Sequence, residues 1–169
     1  MAFIMLTVTS CKKSTSVNGG SWAFKSQTYN VTSGIADVSQ VPPVQTVYNI
    51  ASLTTVCQTS NSYGDIVFTF FSYPTASGSY TITPNQYPDS GSHEIAVQMI
   101  LQTGSGTSLV ENTYNPSSSS ASGVTANVTV AGNGWVTITL PALEMINADP
   151  TKSDSALLTA TVKQTQNAL

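Results

Sequence analysis

The chain of 169 residues contains no arginine, one histidine and two cysteines, and 8% of its residues are charged. Soluble proteins carry about 25% charged residues. Each shortage excludes something. Without arginine the chain lacks the side chain best shaped for two-pronged contact with phosphate or guanine. Its five lysines, Lys12, Lys13, Lys25, Lys152 and Lys163, are too scattered to form a basic footprint. The net charge of −3 points the same way, so nucleic acid is excluded as a partner. A single histidine cannot build a histidine-rich metal site, which draws three or four converging ligands. No apolar run approaches the ~20 residues that a membrane-spanning helix needs.

The chain is rich in Ser, Thr, Asn and Gln, and 40% of it is hydrophobic. That is enough apolar material for one domain with a sizeable core, and the β-branched content is unlike a disordered chain. The opening stretch, MAFIMLTVTSCKKSTS, has its own logic. Ala2–Val8 is a short apolar run with no Lys or Arg before it, followed by Thr9, Ser10 and Cys11. An apolar core ending in small residues is the pattern of a secretory signal. Val8-Thr9-Ser10-Cys11 resembles a bacterial lipobox. That resemblance implies cleavage before Cys11 and acylation of its thiol and new amine. Each buried methylene then contributes about 0.8 kcal/mol to anchoring. Lys12 and Lys13 would sit at the headgroups, with the residues up to Gly20 as a tether. The competing reading makes Ala2–Val8 a β-strand. In that case Cys11 is a thiol that can pair with Cys57. Lipidation of Cys11 excludes that disulfide.

Downstream, period-2 alternation dominates. Strands are expected over Ser21–Val31, Gln45–Thr59 (a short helix over Ile50–Val56 is the alternative), Asp65–Tyr73 and Gly78–Thr83. Further strands are expected over Glu94–Thr103, Thr107–Tyr114, Val124–Val130, Gly134–Leu140 and Ala156–Gln164. Ser33–Pro43 and Asn115–Ser122 read as loops and Ala142–Asp154 as a loop or one helical turn, with Pro141 stopping a strand. Ala131-Gly132-Asn133 marks a hairpin. Eight or nine short strands with turn residues between them predict an all-β antiparallel sandwich, or failing that a barrel. The expected organisation is a signal over 1–10, a lipidated cysteine and tether over 11–20, and one β-sandwich domain over 21–169.

Trp22, Phe24 and Tyr29 after a lipoprotein tether, then Gly78, Tyr80 and Ile82, then the hairpin Val124–Leu140, resemble in layout small β-sandwich lipoproteins of Bacteroidetes-type bacteria. The resemblance implies a fold and an outer-membrane address, on either face, and no activity. Gly20-Ser21-Trp22 also carries a short likeness to the lipocalin G-x-W.

Chemistry-bearing residues are few. Asp89, His93 and Glu94 share one loop region and form a candidate ligand loop. Asn147, Asp149 and Asp154 gather oxygens without the EF-hand spacing. Asp65, Asp89, Glu94, Glu111 and Glu144 are the acids from which a glycosidase pair would have to come. Tyr63, Tyr73, Tyr80, Tyr87 and Tyr114 lie near turns, where they could stack on sugars or pack as strand edges. No nucleophile elbow surrounds His93. The sequence therefore reads as a non-enzymatic envelope lipoprotein without cofactor or metal. Its sandwich would bind or scaffold, with the membrane as one partner and an envelope protein or glycan as another. The alternatives are a structural subunit joined to a surface assembly by strand pairing, and a small carbohydrate-binding or carbohydrate-active module.

Overall fold

A computed structural model describes residues 19–31, 33–41, 45–55, 62–104, 108 and 110–165. The described chain is nearly all β. Its eleven strands are β1 (Gly19–Phe24), β2 (Gln27–Asn30), β3 (Ser33–Val41), β4 (Gln45–Thr55), β5 (Ser62–Phe70), β6 (Gly78–Thr83), β7 (Glu94–Thr103), β8 (Val110–Pro116), β9 (Thr125–Val130), β10 (Trp135–Asn147) and β11 (Ser155–Thr165). One four-residue helix, α1 (Ser118–Ala121), lies between β8 and β9.

The strands follow the order β2-β1-β11-β10-β9-β6-β7-β5-β4-β3. This continuous sheet folds over on itself. β8 pairs with β7 through residues 110–114 and with β10 through 114–116, so β10, β9, β6, β7 and β8 close a ring. The expected all-antiparallel pattern is corrected at one step, where β6 and β7 run parallel in the register Thr81↔Glu94 to Thr83↔Ala96. The ten residues between these two strands carry the chain back to the same end, which a hairpin cannot do.

Alternation places the core where the sequence puts it. Ile95, Val97, Met99 and Leu101 of β7 are buried, as are Ile66, Phe68 and Phe70 of β5. They face Leu158, Ala160 and Val162 of β11 and the apolar residues of β10 within one cluster. Trp22 and Tyr29, opposite each other on β1 and β2, stack with centroids 4.0 Å apart. Phe24 meets Tyr114 edge to face at 4.9 Å.

Four further expectations need correction. The strand expected over Ser21–Val31 is two strands, because Lys25 and Ser26 (φ 49° and 60°) form a two-residue turn with both centres left-handed. That is the hairpin geometry usually signalled by Asn-Gly, and Lys-Ser gives no such signal. The region 33–43, read as a loop, contains β3, paired with β4 from Ser33↔Leu53 to Val41↔Gln45. The serine-rich stretch after Asn115 contains α1, with Ser117 and Ser120 exchanging side-chain bonds to each other's backbone N–H groups as a capping box.

The fourth correction is at Pro141, which does not end its strand. β10 pairs with β11 as Leu140↔Ala160 and then Leu143↔Leu158, so one extra residue is accommodated there as a bulge. Val136, Ile138 and Leu140 are buried before it, Leu143 and Met145 after it. Proline lacks the N–H that a regular ladder demands, and a bulge is one of the few places in a sheet that tolerates it.

Candidate functional site

A polar constellation that joins three separate elements lies at one end of the sandwich, where the β1–β2 turn, β8 and the β10–β11 loop meet. Lys25 comes from the turn, Tyr114 from β8 and Asp154 from the loop. Lys25 Nζ donates to Tyr114 Oη at 3.0 Å and to Asp154 Oδ2 at 2.5 Å, and Tyr114 Oη donates to the same Oδ2 at 2.6 Å. Lys25 also lies 5.0 Å from the Tyr114 ring centroid and 5.6 Å from that of Phe24. The ammonium thus has a carboxylate in front and two aromatic faces around it.

The electrostatics follow from this geometry. Burial alone would lower the Lys25 pKa, but the hydrogen bonds to Asp154 and Tyr114 outweigh it and hold the ammonium above its ordinary range. The Asp154 carboxyl is held below its ordinary range, first by the Lys25 hydrogen bond and then by that of Tyr114. Burial pushes the Tyr114 phenol up, and its bond to Asp154 adds to this. At neutral pH the trio is therefore ammonium, carboxylate and neutral phenol, each held in its resting protonation state. Such a cluster fastens three elements together and is poorly suited to proton transfer.

The loop beside it is bound as closely. Asn147 donates from Nδ2 to Asn112 Oδ1 at 3.3 Å, and its Oδ1 accepts from the Asp149 N–H at 2.9 Å. Lys152 Nζ donates to Asn112 Oδ1 at 2.7 Å and lies 3.7 Å from Asp149 Oδ2. Thr151 bonds Asp149 Oδ1 through both its N–H and its hydroxyl. The oxygens of Asn147, Asp149 and Asp154, read from sequence as a possible calcium set, thus face lysines, hydroxyls and N–H groups of the chain itself. Among the described residues no three His, Cys, Asp or Glu side chains stand close enough to hold a metal ion.

The loop of Asp89, His93 and Glu94 is brought together in part. Glu94 Oε2 accepts from the Asp89 N–H and from Ser92 Oγ, each at 3.1 Å, so it meets the Asp89 backbone. The His93 carbonyl accepts from the Thr81 N–H at 2.8 Å, and its ring tilts against Tyr80 at 5.4 Å. This hydrogen bond joins the loop to β6 where β6 runs beside β7. Of the other acids, Glu111 accepts from Gln102 Nε2 at 2.8 Å and Glu144 from Ser155 Oγ at 3.4 Å. Among the tyrosines, Tyr114 is buried and Tyr73 and Tyr80 pack against the core, which takes these three out of a stacking platform. Cys11 and Cys57 lie outside the described residues.

Sequence reading missed the Lys25–Tyr114–Asp154 cluster. Its members lie 89, 129 and 40 residues apart pairwise, and no local spacing announces them. Comparison with protein-family models, with curated proteins and with solved structures returns no match for this chain.

Proposed function

We propose that the protein is a non-enzymatic cell-envelope lipoprotein, anchored through Cys11, whose β-sandwich serves as a binding or scaffolding module. The observation that carries this reading is the order of segments. An apolar run and the Val8-Thr9-Ser10-Cys11 motif are followed by a short polar tether, and β1 begins at Gly19. The charges at the end of the sandwich support a binding role: Lys25 is paired with Asp154 and Lys152 with Asp149. The domain also offers a partner exposed hydroxyls and amides on β2, β6 and β9, among them Thr28, Asn30, Ser79, Thr125 and Asn127. Intact mass of the protein purified from its own membranes tests the reading, with Cys11→Ala as control. A mass lacking residues 1–10 and carrying added acyl chains, lost in the control, is expected. An unmodified full-length mass would overturn it.

A second reading, a subunit that joins an assembly by strand pairing, is favoured by β3. This nine-residue strand ends the sheet order and pairs with β4 alone among the described residues. An unpaired edge of that length is a template for another strand. Sedimentation of the delipidated protein separates the two, since the module is expected as a monomer and the subunit as concentration-dependent oligomers.

A further inference from the structure

The outer face of the sheet β2-β1-β11-β10-β9-β6 carries one transverse row of side chains. Reading the register across adjacent strands gives Asn30↔Ser21, Ser21↔Thr161, Thr161↔Thr139, Thr139↔Asn127 and Asn127↔Ser79. All six are at least partly exposed, and all six are hydroxyls or amides. With strands ~4.8 Å apart the row runs for about 24 Å. Beside its β1 and β11 members lies an open depression of about 220 Å³, lined by Ser21, Ala23, Thr28, Thr159 and Thr161 among others. It exists because Ala23, flanked in register by Thr28 and Thr159, projects only a methyl group.

We propose that this row and depression form a binding site for a neutral polysaccharide, one chain laid across the strands with a sugar ring seated over Ala23. This rests on reading the domain as a binding module and names its ligand class. Charge complementarity selects the class. The row has no charge over six strands, so its own side chains offer an anionic polymer no counter-ion, while its four hydroxyls and two amides match a polyol as donors and acceptors. On the same face Lys163, two residues along β11 from the row, lies over the Trp135 ring at 5.0 Å from its centroid. Twist excludes a rigid crystalline partner. Successive strands rotate by about 20°, so a row across six of them follows a curved path that a flexible single chain can track. Strand spacing is also close to the rise of one residue in an extended glycan, which gives each sugar about one polar side chain.

The test uses the full chain in native gels cast with dextran, amylopectin, yeast mannan or laminarin, and with heparin and polygalacturonate as anionic probes. Retardation by at least one neutral polymer and by neither anionic one is expected. Ala23→Tyr fills the depression from the solvent side and is expected to abolish retardation. Thr139→Val with Thr161→Val keeps shape and strand preference while removing two hydroxyls, and is expected to weaken binding about tenfold. This pair keeps the site testable should Ala23→Tyr fail to fold. No neutral polymer bound, an anionic polymer bound, or folded variants that bind like the parent would each overturn the proposal. A protein shown by mass to be lipidated that binds none of these polymers overturns this inference and leaves the envelope reading standing.

Discussion

Gly64 on β5 lies directly under the indole of Trp22 on β1. A Cβ built on Gly64 would stand 2.6 Å from both Cζ2 and Cη2 of Trp22, and 3.1 Å from Leu101 Cδ2. The six-membered part of the indole thus fills the space that any other residue at 64 would need, and the two arms of the folded sheet meet there. Gly64→Ala is expected to destabilise the domain by about 2 kcal/mol through overpacking. In a Trp22→Phe background, where those two indole atoms are gone, the same change is expected to cost about 1 kcal/mol less. Urea unfolding of the four-member cycle measures this, and additive costs would show that Gly64 is not selected by Trp22.

The end cluster gives a pH profile. Asp154 has a folded pKa below its ordinary 3.8, so its contribution is full above that value and fades as pH falls through the lower folded value. Lys25 is raised above 10.5, so its contribution is full below 10.5 and fades as pH rises through the folded value. Burial raises the phenols of Tyr29, Tyr73 and Tyr80 above 10.0, and burial with the Asp154 bond raises that of Tyr114, all adding to the alkaline side. The melting temperature is expected to be nearly flat over the neutral range and to fall more steeply above pH 10 than below pH 4. Because the ion pair is more than a third exposed, Lys25→Met is expected to cost only about 0.5–1 kcal/mol at pH 7. Asp154→Asn is expected to flatten the acid limb, and an unchanged limb would place its origin elsewhere.

Gln164 on β11 is 1% exposed, and neither its Nε2 nor its Oε1 has a hydrogen-bond partner among the described residues. A buried amide that satisfies nothing loses its hydration without return. Gln164→Met, similar in volume, is expected to raise stability by about 1 kcal/mol. A loss of stability would show instead that a bound water or another polar group meets this amide.

The bulge at Pro141 and Ala142 sets which side chains enter the core. Deleting Ala142 removes the extra residue, so that Leu140, Leu143 and Met145 fall on one plain two-residue period and keep their inward faces. Near-ultraviolet circular dichroism and cooperative unfolding are expected to be retained at a cost in stability, because Pro141 then stands in a regular ladder with no N–H to donate. Loss of both would mean that the bulge itself is needed to seat β10 against β11.

Much of the β architecture is legible residue by residue, because alternation is a local property. Ile95, Val97, Met99 and Leu101 announce their common face within seven positions, and Ala131-Gly132-Asn133 announces a hairpin that the structure forms between Val130 and Val136. Where local signals fail, the cause is a neighbour distant in sequence. Lys25 and Ser26 accept left-handed backbone in a turn whose lysine is tied to Tyr114 and Asp154. Pro141 stays within a strand because β11 accommodates an extra residue opposite it. The sequence by itself determined an all-β chain, its principal inward faces, and the shortage of charge that leaves hydroxyls and amides to cover the surface. Only the tertiary structure decided which strands adjoin. Pairing across a sheet is chosen by the fit of whole faces, and that choice alone brings six separate polar residues into one row and three distant ones into one cluster.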